Sequence, residues 1–327
     1  MKTPPHFVID LLQKQPNIFT KRRVCRVETP SGESWCLKKF GPRESSLLWV
    51  LGAYCHLQEK GFEHLPALVY LENQRPYFYY QGDFFYLTRW LAGRPADFLR
   101  LDDVKTAGNL LARFHLASAG YTPPAEASER IAWGKLPMRL KSRWEEIKKF
   151  AALAQNRAAN DSLARELSIF LPSAVREGEK VLENLKDSPY CKLVAEAQEW
   201  KGVCHQDFAA QNLLWHQGQL VVLDLDNCQA DIPVRDVYRF LRRLFIEQPW
   251  EPAVAREALQ AYASQRNLKP EEIEVLKLLL RFPHDLWRIS FDWFREPTSR
   301  NREIQTKRLQ RFAASRQGLE TFLAQLP

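Results

Sequence analysis

Residues 203 to 226 read Val-Cys-His-Gln-Asp-Phe-Ala-Ala-Gln-Asn-Leu-Leu-Trp-His-Gln-Gly-Gln-Leu-Val-Val-Leu-Asp-Leu-Asp, and three of these side chains stand in an order that could do chemistry. Asp207 falls on a loop, Asn212 opens an apolar hairpin five residues later, and Asp224 stands twelve residues beyond that, on the loop after the hairpin. Phosphoryl transfer with magnesium uses a carboxylate that orients an attacking hydroxyl. It then needs an amide oxygen and a second carboxylate to hold metal on nucleotide phosphates. The three residues supply those groups in that order. Turn capping is the plainer role for an aspartate and an asparagine, but it leaves the flanking apolar strands and a further acid, Asp226, unexplained.

Each residue has its own expected task. Asp207 accepts or orients the proton of the hydroxyl. Asn212, through its side-chain oxygen, and Asp224 hold the metal. Asp226, two residues on, either takes a second ion or is oriented elsewhere. His205 has no metal-ligand partner at suitable spacing, so its expected role is to pin the backbone of the catalytic loop. Asp236, in Pro-Val-Arg-Asp-Val-Tyr-Arg-Phe, opens a helix and is expected to cap it or to bond that same loop.

Nearer the N-terminus a lysine ends the apolar run Trp35-Cys36-Leu37-Lys38. A lysine so placed binds the α- and β-phosphates when a carboxylate on the next helix holds it. Lys38 is the choice and Lys39 the alternative, because adjacent strand residues face opposite sides. Glu44 is the expected partner, while Glu59 sits at the far end of that helix and fits less well. No glycine-rich loop precedes Val24; Phe19-Thr20-Lys21-Arg22-Arg23 stands there instead. Glycine lets backbone amides approach phosphate closely, so either basic side chains substitute here or nucleotide binding is weak.

A chain of 327 residues is long enough for two lobes, each with its own core. Its 45% hydrophobic and 26% charged residues are ordinary for a globular protein. No apolar run approaches the roughly 20 residues needed to cross a bilayer. Met-Lys-Thr-Pro-Pro-His carries no mark of a secretory signal, so a cytoplasmic protein with no membrane partner is expected. The six cysteines are scattered, without a C-x-x-C pair, and read mostly as reduced core thiols. A formal charge of +8 disfavours a polycationic substrate. Between Arg295 and Arg316 seven residues are basic and two acidic, and Lys21-Arg22-Arg23 is a second cluster. The long stretch is either a solvated helix face or a surface for an anionic partner or polymer. Nucleic acid is disfavoured because no reading motif accompanies the charge.

The elements that must position these residues are legible in outline. Val24 to Thr29 and Ser34 to Phe40 read as strands around Pro30-Ser31-Gly32-Glu33. Arg43 to Lys60 has helical spacing and ends at Gly61. Leu68 to Leu71, Tyr77 to Tyr80 and Asp83 to Trp90 read as strands, with Asn73-Gln74-Arg75-Pro76 as a turn, and Ala92-Gly93-Arg94-Pro95 breaks the pattern as a hinge. From Asp102 the chain turns helical. Residues 135 to 186 read as two helices around Asn160-Asp161. Amphipathic helices follow from Val234, with breaks at Pro249-Trp250-Glu251-Pro252, Lys269-Pro270 and Pro283.

These residues bring the chain close to the aminoglycoside phosphotransferase and choline kinase superfamily. Within it the chain most resembles the spore-coat kinase-like proteins of the CotS type from endospore-forming bacteria. The resemblance runs over nearly the whole chain, through Leu37-Lys38, His205-Gln-Asp207 with Asn212, Asp224-Leu-Asp226-Asn227, Val234-Arg-Asp236, Leu259-Gln-Ala-Tyr262 and Phe282-Pro-His-Asp-Leu-Trp287. It implies an α+β, bilobal, protein-kinase-like fold. Residues 1–91 would form a small antiparallel-sheet lobe with one helix that binds the nucleotide. Residues 92–327 would form a larger, mainly helical lobe with the catalytic and metal-binding loops.

The resemblance also implies ATP and Mg2+ as cofactors, a Lys38–Glu44 pair, and an adenine held at Thr88, Arg89, Trp90 and Leu91. The expected reaction is transfer of the γ-phosphoryl group to a hydroxyl of a small molecule or glycan. Spore-coat proteins are candidate partners, with a location in the mother cell or spore coat. One departure is Gln206, where such proteins usually carry glycine. The other function compatible with this sequence is a kinase-fold scaffold in coat assembly, with little or no turnover.

Overall fold

The computed structural model describes residues 5–15, 18–19, 24–72, 74–128, 130–246 and 248–326. The stretch 20–23, where a phosphate loop was sought and a basic cluster noted, and Asn73 of the expected turn lie outside them. Contacts divide the chain into two compact units. One comprises Met1–Ala96, Ala117–Arg130 and Ala210–Cys228; the other comprises Asp97–Leu116, Ile131–Ala209 and Gln229–Pro327. Where the sequence reading has one boundary, after Leu91, these units interleave along the chain.

The first unit opens with helix α1 (His6–Lys14), then strands β1 (Val24–Glu28) and β2 (Ser34–Gly41), helix α2 (Glu44–Glu59), and strands β3 (Tyr77–Tyr80) and β4 (Asp83–Arg89). The strands form an antiparallel sheet in the order β1-β2-β4-β3. The β1–β2 turn closes with the Thr29 N–H on the Glu33 carbonyl at 2.8 Å, and Gly32 takes φ +84° there. One face of the sheet buries Val27, Leu37, Phe78, Phe85 and Leu87 against Val8 and Leu12 of α1. That helix stands beside the one expected; its apolar positions 7, 8, 11 and 12 have helical spacing. The strand expected at Leu68–Leu71 is absent. Leu68 makes only an isolated bridge to Thr88, with the Val69 N–H on the Leu87 carbonyl at 3.0 Å. Strand β4 is flanked by β2 and β3, so this segment meets only the end of β4 that β3 leaves uncovered.

A second, three-stranded antiparallel sheet completes this unit: β5 (Arg94–Pro95), β6 (Leu213–His216) and β7 (Gln219–Val222), in that order. The expected break at 92–95 therefore pairs with the hairpin. Gly93 is needed there because a Cβ would lie 1.9 Å from the Trp215 carbonyl oxygen. Gln217 and Gly218 both have positive φ and join β6 to β7 as a two-residue turn matched to strand twist.

The second unit is helical: α3 (Leu101–Ala117), α4 (Leu136–Arg157), α5 (Ser162–Asp187), α6 (Tyr190–Trp200), α7 (Val234–Leu244), α8 (Pro252–Ala263), α9 (Pro270–Arg281), α10 (His284–Arg295) and α11 (Ser299–Gln325). Asp161 caps α5 by accepting the N–H groups of Leu163 and Ala164, both at 3.1 Å. Pro252 and Pro270 each begin a helix, where a missing N–H costs nothing. Four basic side chains of α11 have a carboxylate nearby. Arg308 lies 3.0 Å from Asp292, Lys307 2.7 Å from Glu303, Arg316 3.8 Å from Glu177 and Arg302 4.0 Å from Asp161. Among the described residues no helix is long and apolar enough to cross a membrane. All six cysteines are free; Cys204 and Cys228 are buried and Cys191 is exposed.

Leu37 is fully buried between α1 and the sheet. Leu37→Ala is expected to destabilise the protein by about 3 kcal/mol, measured by chemical denaturation. Met138→Ala, at a side chain 67% exposed, is expected to stay within about 0.5 kcal/mol of wild type.

Candidate active site

The first unit gathers one lysine and two aspartates. Lys38 on β2 sits opposite Tyr86 on β4, and its ammonium lies 5.2 Å from the Tyr86 ring centre. Lys38 Nζ is 3.0 Å from Asp224 Oδ1 and 3.7 Å from Asp226 Oδ1. The Tyr86 hydroxyl donates to Asp226 Oδ1 at 2.6 Å. The lysine side chain is 9% exposed, Asp226 10% and Asp224 37%, so only Asp224 has substantial access to solvent. Burial alone would lower the Lys38 pKa, but the two carboxylates outweigh it and hold it above its ordinary value. Burial raises Asp226, Lys38 opposes that, and the neighbouring Asp224 charge adds to the upward push.

The hairpin fixes the carboxylates. Leu223 donates its N–H to the Asn212 carbonyl at 2.8 Å, tying buried Asn212 to the residue before Asp224. Val222 donates to the His64 carbonyl at 2.8 Å, and His64 Nδ1 meets the Leu220 carbonyl at 2.9 Å. Asp224 then takes φ 59°, ψ 69°, a left-handed conformation that aspartate tolerates better than most residues. A one-turn helix, Leu225–Asn227, follows and brings Asp226 around. Two carboxylates and an amide side chain are hard oxygen donors of the kind magnesium or calcium takes. A divalent cation would also relieve the repulsion between Asp224 and Asp226.

The expected Lys38–Glu44 pair does not form. Glu44, the first residue of α2, accepts from the Tyr77 hydroxyl at 2.9 Å and lies 4.0 Å from Arg75. The aspartates after β7 are closer acceptors for the buried ammonium, and Glu44 remains 43% exposed. Lys39 pairs with Asp83 at 2.6 Å, and Glu59 is exposed. Thr88 is buried on β4. Arg89 donates its N–H to the Ala67 carbonyl at 2.8 Å and its side chain pairs with Glu33 at 2.6 Å. Trp90 donates its N–H to the Ser34 carbonyl at 3.0 Å, and the Arg26 guanidinium stands 5.7 Å from its ring centre. Half-buried Leu91 follows the end of β4.

The second unit holds the loop that carries Asp207. Buried Asp236, in the first turn of α7, accepts the N–H of His205 at 2.5 Å and of Gln206 at 2.8 Å. His115 Nε2 lies 3.2 Å from the same carboxylate, and His115 Nδ1 is 2.8 Å from the Tyr262 hydroxyl. A carboxylate only accepts, so Nε2 carries the proton and Tyr262 donates to Nδ1. Burial holds His115 below its ordinary pKa despite Asp236, in keeping with that neutral ring. Burial alone would raise Asp236, but the His115 hydrogen bond and nearby Arg239 hold it below its ordinary value. His205 is fully buried, edge-on to Phe114 and Phe208, and its Nδ1 accepts the Asp207 N–H at 3.2 Å. Asp207 Oδ1 lies 2.7 Å from Arg243 Nη2, and Arg239 donates to the Gln206 carbonyl.

Residues 20–276 match the model of the phosphotransferase enzyme family. The chain belongs to this family. Spore coat protein S of Bacillus subtilis (strain 168) is 24% identical over 308 residues, which cover 94% of this chain and 87% of that protein. The crystal structure of an aminoglycoside phosphotransferase from Alicyclobacillus acidocaldarius superposes with a TM-score of 0.79 at 22% identity, covering 92% of this chain and 88% of that one. An amicoumacin kinase solved with AMP-PNP and Ca2+ gives 0.60 at 11% identity, with 92% of each chain covered. The α+β, kinase-like fold is thus common to this chain and those two solved structures.

In this member of the family, Gln206 takes φ 70°, the region that favours glycine. Its side chain is buried and donates to Asp231 Oδ2 at 2.9 Å, which anchors the residue in that conformation. The sequence reading passed over Arg243 and Arg239. They lie with Arg235 and Arg242 at helical spacing on α7, a pattern visible in Val-Arg-Asp-Val-Tyr-Arg-Phe-Leu-Arg-Arg-Leu.

Gln206→Gly is expected to stay within about 1 kcal/mol of wild type, since relief of the backbone offsets the lost side-chain bond; Gln206→Val should cost about 2 kcal/mol or more. Urea unfolding measures both. Asp236→Asn is expected to lose about 2–4 kcal/mol at pH 7. Because the folded-state pKa of Asp236 is depressed, its contribution is fully present above its ordinary value of 3.8 and is lost as pH falls through the lower folded value. The stability gap between wild type and Asp236→Asn should therefore hold from pH 5 to 7 and narrow below about pH 3.8.

Proposed function

We propose that this protein is an ATP- and magnesium-dependent phosphotransferase that transfers the γ-phosphoryl group to a hydroxyl of a small molecule or glycan. The observation that carries the reading is the buried Lys38 ammonium set between Asp224 and Asp226. Such a cluster, with one carboxylate open to solvent, suits a nucleotide phosphate that arrives with a divalent cation. Asp224 and Asn212 are the proposed metal ligands, with Asp226 as a further one, and Lys38 is the proposed phosphate ligand. When bound, the metal neutralises charge on the phosphates. The backbone at Thr88, Arg89, Trp90 and Leu91 is the proposed adenine contact, Asp207 the group that orients the acceptor hydroxyl, and His205 and Asp236 its support. Residues 1–91 form the nucleotide lobe in this reading and residues 92–327 the catalytic one. The amicoumacin kinase, solved with a nucleotide analogue and calcium, supports a nucleotide and a divalent cation here. A net charge of +8 argues against a polycationic acceptor.

The likeness to Spore coat protein S favours a second reading, a kinase-fold scaffold associated with the spore coat. Thermal unfolding with millimolar ATP and magnesium separates the two. The phosphotransferase reading expects a clear rise in melting temperature, about 2.7 kcal/mol of added stability at a hundredfold excess over Kd, abolished in Asp224→Ala. No rise in wild type would favour the scaffold. Asp207→Ala should keep the ATP-dependent rise and lower ATP consumption about a hundredfold or more across a panel of hydroxyl compounds. Undiminished consumption in that variant would remove Asp207 from the mechanism.

A further inference from the structure

Helices α4, α5 and α6 of the helical unit border a cavity of about 650 Å³. That volume falls within the range usual for small-molecule sites. Met138 and Trp144 of α4, Leu182 and Leu185 of α5, and Tyr190 and Val194 of α6 line it. Asp207 and its loop do not line it, nor do Lys38, Asp224 and Asp226. The cavity therefore shares no residue with the candidate active site.

The two aromatic walls are tied into the protein by their polar atoms. Trp144 Nε1–H donates to the Val175 carbonyl at 2.9 Å, and the hydroxyl of buried Tyr190 accepts the Leu136 N–H at 3.3 Å. A Cβ at Gly178 would lie 2.8 Å from Trp144 Cδ1, so glycine is what lets the indole rest this close to α5. Met138, 67% exposed, adds an unbranched thioether that adapts to the outline of whatever it covers. Four charged side chains complete the border: Lys141, Lys186, Glu179 and Glu183. All four are exposed, and among the described residues none lies within ion-pair distance of an opposite charge. Two cations against two anions leave no net charge to draw in an ion. An ionic group carried between the apolar walls would also lose its water without gaining a partner.

We propose that this cavity is a second ligand site, one that takes a neutral, largely apolar small molecule bearing an aromatic ring. The ring packs against Trp144 and Tyr190 in the offset or edge-on contacts that aromatic pairs favour, and Leu182, Leu185 and Val194 bury its remaining apolar surface. The site holds whether or not the protein turns over ATP. Cys191 is free and exposed and lies on the same border, where it serves as a chemical reporter of occupancy.

Fluorescence titration of the full chain with phenylnaphthylamine, a neutral dye, and with its anionic relative anilinonaphthalene sulfonate tests the site. Saturable binding of the neutral dye, at least about tenfold tighter than that of the sulfonate, is the expected result. Val194→Phe, which fills the cavity from α6, should weaken the neutral dye at least about tenfold at an unchanged melting temperature. Bound dye should also slow alkylation of Cys191 by iodoacetamide, read by peptide mass spectrometry, and leave the rate at Cys25, in the other unit, unchanged. The proposal is overturned if the neutral dye does not saturate, if the sulfonate binds as tightly, if folded Val194→Phe binds undiminished, or if Cys191 reacts as fast with dye as without. Should that variant not fold, protection of Cys191 in the wild type decides the matter.

Discussion

A buried ammonium held between two carboxylates is the constraint on which the first unit depends. Lys38 reaches Asp224 and Asp226 from a strand, and the two aspartates follow a hairpin far along the chain. Removing either sign would leave uncompensated charge in a region where few side chains have access to water, which is the costly way to break such a cluster. The pairing therefore draws 210–228 onto the N-terminal sheet. It also explains why the hairpin is secured twice more, through β5 and through His64. The same arrangement is chemically unfinished. Asp224 takes φ 59° and keeps access to solvent, and Asp224 and Asp226 stand as like charges on either side of the Lys38 ammonium. Backbone conformations of that kind collect at functional positions.

The second unit solves a different problem, that of holding a loop in which nearly every residue from 202 to 209 is buried. Its answer is one carboxylate. Asp236 accepts two consecutive N–H groups and a neutral imidazole, and the chain of donors continues through Tyr262 and Arg266 to Glu272. Each member is satisfied by the next, which is what makes a buried polar network rigid rather than destabilising. Gln206 fits into this scheme. A side chain in a glycine-like conformation persists because Asp231 takes its amide, and Asp231 is in turn paired with Arg235. The loop that presents Asp207 is thus set by α7 and its acids.

Much of this was legible from residue order. The hairpin at 213–222, the cap at Asp161, the prolines that start α8 and α9, and the helix over 44–59 each have a local cause that sequence displays: a Gln-Gly turn, an aspartate before an apolar run, a missing N–H, and helical spacing. The misses also have physical causes. Leu68–Leu71 has the composition of a strand, yet β4 has only its far end free to pair with it. Glu44 has the right type and place in the chain to meet Lys38, but acids distant in sequence lie nearer in space. The arginines of α7 look like a solvated helix face until their partners are known, because charge at helical spacing is common on surfaces.

The sequence by itself determined the family, the α+β class and the identity of the acidic, amide and lysine side chains, since these rest on residue type, spacing and short-range turn chemistry. Tertiary structure alone decided which carboxylates Lys38 meets and how Gln206 is accommodated. Those outcomes are competitions between groups far apart in the chain, settled by distance and burial, and spacing along a sequence carries no information about either.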